Sequence, residues 1–321
     1  MSDSIGTDRK AASLEDYLKT YSVVAELTRK ETCTKYPYET DMLFEFVDNW
    51  PDFAKLLNQK LAEISNSLSG IILVNSWRLT NQISIDILSG KYFEAMRNLR
   101  FVFEGSVYAV IVENAIEATV FEKWEKLSGL DLKAEIFELW EECKRRKVYG
   151  KGKIATDRVK ELVTGYIARK IDASKKGEMQ DYIEIYTQIL CDENLYLPTS
   201  RMIDECGGFI RLDDEDIADL RTLWHELSKY QHFSYAYLEA VLDDPDLCLM
   251  EKLNDGLLRR SLDFYFDTLD FFYAVLAWRF EYLRKEITTM CEWWRTNFNR
   301  SFDTTEKTLR NLPKQIMASS R

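Results

Sequence analysis

The chain contains two histidines, His225 and His232, and both stand in one stretch with other groups able to bind phosphate or move protons. On a helix turning about 100° per residue, Arg221, His225, Ser228, His232, Tyr235 and Glu239 fall within an arc of roughly 80°. Leu220, Leu223, Trp224, Leu227, Leu238 and Val241 lie to one side of that arc, so the polar stripe should border the core and solvent. Histidine titrates near neutral pH. Arg221 and His225, one turn apart, have the types needed to hold a phosphate and transfer a proton. Ser228 and Tyr235 flank His232 as groups that can fix its tautomer. Metal-free RNA cleavage needs little more than an acid, a base and a cation for the charged transition state, because RNA brings its own 2′-hydroxyl nucleophile. The competing reading of the same stripe is a solvated polar edge with hydrogen-bonded imidazoles.

A second constellation comprises Arg97, Arg100, Glu104 and Tyr108, spaced by three and four residues inside a very apolar run, Phe101 to Val112. Charges in such a segment must be paired or close to water. Arg100 and Glu104 are therefore expected to pair. The functional alternative is that their face meets the histidine stripe and supplies its phosphate-binding cation.

Other motifs fail on context or geometry. Gly150-Lys151-Gly152-Lys153-Ile154-Ala155 matches a loose dinucleotide pattern, but the basic run Lys144 to Lys147 precedes it where a buried apolar strand is required. A basic loop is expected there. There is no P-loop and no G-x-S-x-G elbow. Asp213-Asp214-Glu215-Asp216 lacks the alternate spacing and glycine of a calcium loop and reads as a helix start. The two histidines stand seven residues apart, about 10.5 Å along a helix, too far to share one ion. Neither follows a glutamate by three residues, so the paired Glu-x-x-His motifs of di-iron bundles are missing. The six cysteines are widely separated with no C-x-x-C pair, which argues against zinc and a disulfide framework and fits a reducing cytoplasm. No metal and no cofactor is expected.

The elements that must position these residues read as helices. With 12 Gly and 5 Pro in 321 residues, turn-formers are too sparse for a many-stranded sandwich or barrel. The pattern predicts helices over Leu14 to Leu27 and Leu43 to Trp50, and an amphipathic one over Asp52 to Ile64. A hairpin follows, Ile71 to Leu88 and Tyr92 to Ala115, with Gly90 as a left-handed stop. Its second arm holds β-branched residues, yet about twenty-five residues without a breaker favour a buried helix. Phe121 to Lys147 should be interrupted near Ser128-Gly129 and end on its basic run. The histidine helix should run from Asp213 or Asp214 to Leu242, and an aromatic helix from about Asn254 to Phe298, where no heptad is sustained and a break is allowed for. The expected organisation is a single all-α domain over 12–312, a helical bundle of long antiparallel helices with peripheral ones, between a disordered 1–11 and a flexible 313–321.

Composition narrows the function classes. Apolar residues make up 46% and charged ones 30%, so a core can form, and the formal charge is −11. That charge is uneven. Residues 144–176 hold twelve Lys/Arg against three Asp/Glu, and residues 192–226 hold three Arg against ten Asp/Glu. Opposite blocks in one chain suggest intramolecular or dimer complementarity, while the basic block alone has a nucleic-acid-like footprint. The most hydrophobic stretch, Leu262 to Leu283, carries Asp263, Asp267, Asp270, Arg279 and Glu281, so no membrane association is expected. Eight Trp, seventeen Tyr and seventeen Phe exceed what one small bundle needs, which suggests a homodimer contact.

The segments Gly90-Lys-Tyr-Phe-Glu-Ala-Met-Arg-Asn-Leu-Arg-Phe-Val-Phe-Glu104 and Leu223-Trp-His-Glu-Leu-Ser-Lys-Tyr-Gln-His232 resemble prokaryotic all-helical proteins in which an arginine-glutamate helix accompanies a Leu-Ser-x-x-x-His helix. That group is similar to the HEPN superfamily, which includes dimeric metal-independent ribonucleases of toxin and defence systems as well as inactive and binding members. The resemblance covers about fifty residues. The superfamily's catalytic pattern is an arginine followed a few residues later on one helix by a histidine. Here three residues separate Arg221 from His225 and ten separate it from His232, so the pattern is not met. Matched residue by residue, His232 takes the histidine position and Arg97 or Arg100 must supply the arginine. The candidate catalytic set is thus His232, His225, Arg221, Arg100 and Glu104. The resemblance implies RNA binding or metal-independent ribonuclease activity. The alternative is a non-enzymatic scaffold or regulatory protein acting through protein-protein contacts.

Overall fold

The computed structural model describes residues 14–48, 68–126, 135–149, 152–170, 177–230 and 252–312. These residues form an all-α bundle of twelve α-helices and two short 3-10 turns, with no strand. At its centre lies the expected hairpin, here the third and fourth helices, α3 (Leu68–Leu88) and α4 (Tyr92–Lys126). Its corner is closed by the Lys91 amide donating to the Asp86 carbonyl at 2.8 Å. Gly90 has φ +78°, and a Cβ there would stand 2.8 Å from the Lys252 carbonyl oxygen, so conformation and space both require glycine. One turn above Phe101, Gly105 plays the second such role. A Cβ on it would sit 2.6 Å from Ser76 Oγ, and its absence lets the two arms close up.

Val102, Phe103, Val107, Val110 and Ile111 are fully buried, as expected of a helix surrounded by others. The β-branched residues do not make it a strand, because a helix this long satisfies its own backbone while neighbours cover its faces. One neighbour is α10 (Asp255–Arg279), whose Phe271 ring lies 4.9 Å from that of Phe103. The others are α7 (Met179–Leu190), α8 (Thr199–Ile210) and α9 (Asp214–Ser228), all packed on α4. Two helices, α1 (Leu14–Lys35) and α2 (Pro37–Asp48), lie against the other side of the hairpin at α3. The peripheral pair α5 (Glu135–Arg146) and α6 (Lys153–Lys170) packs on α7.

One sequence expectation changes, and the break allowed for in another is located. The histidine helix begins where predicted, with Asp213 accepting from the Asp216 amide at 3.0 Å, but it ends at Ser228 instead of Leu242. Lys229 and Tyr230 form a turn, and residues 231–251, with His232, Tyr235 and Glu239, lie outside the described residues. The expected helix over Asp52 to Ile64 and both termini also lie outside them. The aromatic helix is broken at Phe280, whose extended backbone (φ −117°, ψ 95°) ends α10 before a 3-10 turn, Glu281–Leu283, opens into α11 (Arg284–Phe298).

The last helix, α12 (Asp303–Asn311), has no capping side chain of its own. Asp270 of α10 does that work across the interface, accepting from the Thr304 and Thr305 amides at 2.9 and 2.8 Å. Lys307 reaches from α12 to Asp216, tying it to the start of α9. None of the described helices is long and apolar enough to cross a membrane.

Candidate functional site

The residues singled out on α4 and α9 meet, but through a tryptophan. Arg100 and Glu104 stand one turn apart on the face of α4 that α9 covers, and the expected pair is present, Arg100 Nε donating to Glu104 Oε1 at 3.0 Å. The same oxygen accepts the indole N–H of Trp224 at 3.0 Å. The Arg100 guanidinium sits 5.6 Å from the centre of that indole ring. Glu104 thus neutralises a cation and satisfies a buried donor at once, while Arg100 adds a cation–π contact. Tyr108, one turn further, turns its ring edge to Trp140 at 5.5 Å. Burial pushes its phenol pKa up, and the nearby Glu104 charge raises it further. The cluster pins two helices together, and each of its polar groups has a partner.

The histidine edge is arranged differently. Because successive residues turn by about 100°, placing Trp224 against α4 swings His225 out to solvent, where it is exposed. Arg221 is exposed on the same side and ion-paired to Asp204 of α8. The Ser228 hydroxyl donates to the Trp224 carbonyl at 2.6 Å, so its proton is spent within its own helix. Arg97 is exposed on α4. Among the described residues, then, Arg100 and Glu104 come together, Arg221 and His225 share an open edge, and no hydrogen bond joins the two pairs.

Metal ligation and thiol chemistry would need other groups among the described residues. No cluster of three or more His, Cys, Asp or Glu side chains there could hold a metal. Burial raises the Cys143 thiol to about 11 and the Cys291 thiol to about 12, and raises those of Cys191 and Cys206 as well. A thiol so shifted is protonated at neutral pH and is a poor nucleophile.

The charge blocks map onto separate surfaces. On α5, on α6 and in the turn after α5 the exposed cations include Lys147, Lys153, Arg158 and Lys160, while Arg145 and Arg146 share the Glu142 carboxylate of their own helix. On α8 and α9 the exposed carboxylates include Glu205, Asp214, Glu215 and Asp219. No ion pair between described residues joins 144–170 to 192–226.

Sequence reasoning missed a second carboxylate-arginine cluster. Glu113, about two and a half turns along α4 from Glu104 and 6% exposed, receives the Ser69 hydroxyl at 2.6 Å and the Arg279 guanidinium at 2.6 Å. Arg279 Nε also donates to Ser69 at 3.0 Å. The only sequence signal was a glutamate in an apolar run, and its partner lies on a helix 166 residues away. Comparison with family models, curated proteins and solved structures finds no match to this chain.

Proposed function

We propose that this protein is a non-enzymatic helical scaffold or regulator that works through protein–protein contacts made by its charged surfaces. The observation that carries this reading is that both candidate phosphate-binding cations are held by carboxylates, Arg221 by Asp204 and Arg100 by Glu104. A guanidinium so engaged has its charge largely offset, and using it on a phosphorane means breaking the pair first. The cationic face of α5 and α6 and the anionic face of α8 and α9 then act as two docking surfaces of opposite sign. Such surfaces steer charged partners, a second copy of the chain included, and give salt-dependent association.

The test is to incubate the full chain with single-stranded RNA in the presence of a chelator, beside His232→Ala and Arg100→Ala variants. The expected result is no cleavage by any of the three, and association in sedimentation experiments that weakens as salt is added. Metal-independent cleavage by the wild type that vanishes in His232→Ala would overturn the proposal in favour of the ribonuclease that the HEPN resemblance implies.

One feature favours a second reading, RNA binding without cleavage. The cleft between α5 and α6 places Arg145, Arg158 and Arg169 beside Phe137 and Tyr166, the mixture of cations and rings that suits single strands. Glu138, Glu141 and Glu161 line the same cleft and oppose a polyanion, which ranks this reading second. A gel shift with RNA that is lost in Arg158→Glu would reverse the ranking.

A further inference from the structure

We infer that the cleft between α5 and α6 is a dimer interface, in which each protomer's α5 lies antiparallel in the cleft of a second copy of the chain. The inference rests on the reading that this protein works through protein contacts, and it names the partner. α5 turns Ile136, Leu139, Trp140 and Cys143 into its own core. Its opposite face, with Phe137, Glu138, Glu141, Lys144, Arg145 and Val148, lines the cleft. α6 forms the other wall and runs antiparallel to α5, since near its C-terminal end the Tyr166 hydroxyl meets Glu138 and Lys170 lies 3.5 Å from Glu135 in the first turn of α5. The cleft measures about 1710 Å³. A helix of the twelve residues of α5 is about 18 Å long and 10 Å across, a cylinder of about 1400 Å³, so one helix fills it.

Charge selects which helix. Five cations and four carboxylates line the cleft, so it is close to neutral and does not suit a polyanion. The two signs are sorted by position, Glu138 and Glu141 in the first half of α5 and Lys144, Arg145 and Arg146 in the second. Such a groove fits a helix of the reverse polarity, and α5 turned end for end is one. A two-fold axis through the point midway between Glu142 and Cys143 sets Phe137 level with the partner's Val148 and Glu141 level with the partner's Lys144, and brings Glu138 within about 3 Å, along the axis, of the partner's Arg145. On a helix these six residues share an arc of about 120°, so they meet the second copy together. Each contact occurs twice, as an isologous interface requires. Within one protomer Lys144 already pairs with Glu141, and Arg145 and Arg146 share Glu142. Pairs on so open a face contribute little in water, and exchanging them across the two-fold sets orientation and register.

α6 carries a second observation. Gly165 lines the cleft from inside that helix, and a Cβ there would meet nothing within 4 Å. An interior glycine weakens a helix, and no described neighbour within the protomer requires this one. Its bare backbone leaves the floor open beside Phe137, Leu162 and Tyr166, half-buried apolar side chains of the same cleft. An incoming helix covers them, which supplies the apolar contact that exposed ion pairs do not. Laying α5 of each copy between α5 and α6 of the other makes a four-helix interface out of two open helix pairs.

Sedimentation equilibrium of the full chain tests the interface, and the wild type is expected to be a dimer at micromolar concentration. Glu138→Lys with Glu141→Lys makes the four paired positions of α5 all basic, and Lys144→Glu with Arg145→Glu makes them all acidic. Each double variant alone should dimerise roughly tenfold more weakly or worse, because like charges then face each other. An equimolar mixture of the two should recover the dimer mass, and so should all four substitutions in one chain. Gly165→Leu fills the floor without a clash inside the protomer and should also weaken the dimer by roughly tenfold or more, through lost fit. Every variant is first checked for native helicity, and Gly165→Leu keeps the test standing if a charge-reversed chain does not fold. The inference is overturned if the wild type is monomeric up to about 100 μM, if both charge-reversed variants still dimerise, if their mixture stays monomeric, or if Gly165→Leu leaves the dimer intact. It is also overturned if the wild type is monomeric and binds single-stranded RNA in a way that Arg158→Glu abolishes, which assigns the cleft to RNA. Salt-sensitive association that persists in both charge-reversed variants overturns this interface and leaves the scaffold reading standing, whereas His232-dependent RNA cleavage overturns that reading.

Discussion

Two carboxylates on α4 recruit arginines in opposite ways. Glu104 takes one arginine from its own helix and one indole N–H from α9, so its contact ties two helices. Glu113 takes Arg279 from α10 and the Ser69 hydroxyl from α3, so its contact ties three helices through partners distant in sequence. An arginine in a protein interior therefore does not by itself mark a site. A pair within one turn of a helix is set by local spacing, whereas a pair between distant helices is set by how those helices pack.

The comparison can be broken most strongly at its buried anion. Glu113→Ala leaves Arg279 and Ser69 without their acceptor, and a loss of about 3 kcal/mol in urea unfolding is expected, as for other buried pairs cut on one side. Next in size, Trp224→Phe keeps the ring against α4 and Arg100 but removes the N–H to Glu104. A cost of about 1 kcal/mol in urea unfolding is expected.

A third carboxylate offers a smaller, pH-dependent contrast. Asp267 on α10 is pushed up to about 6, first by loss of solvent and then by Asp263, Asp270 and Asp219, while Arg300 at 3.2 Å opposes the shift. Its side chain is still 56% exposed, so water screens much of this. A carboxyl whose folded pKa is raised favours the native state while protonated. That contribution is full below the unfolded value near 4 and is lost as pH rises through 6. Asp267→Asn should therefore raise the melting temperature modestly above pH 6 and leave it unchanged below pH 4. Smallest of all, His225→Ala removes an exposed ring and should alter stability by less than about 0.5 kcal/mol.

Much of the framework was legible in the residues themselves. Gly90 marked the hairpin corner because its conformation belongs to glycine, and Asp213 marked the start of α9 because a short carboxylate satisfies free amides locally. The Arg100–Glu104 pair was legible because four residues on a helix make one turn. The reach of α9 was not, because its apolar period continues past Ser228 while the chain turns at Lys229. The fate of the candidate site was not legible either. Which face of α9 meets α4 depends on where the largest apolar side chain fits, and once Trp224 took that place His225 was directed outward.

By itself, the sequence determined what depends on near neighbours: the all-helical class, the hairpin, the helix start at Asp213 and the ion pair within one turn. Tertiary structure alone decided which distant charges meet. Asp204 met Arg221, Glu113 met Arg279 and Asp270 met the amides of α12 because those helices pack together, and nothing in the local spacing of any one of them encodes its partner. The physical reason is range. Capping and helical periodicity act over a few residues, whereas the pairing of buried charges depends on how whole helices fit.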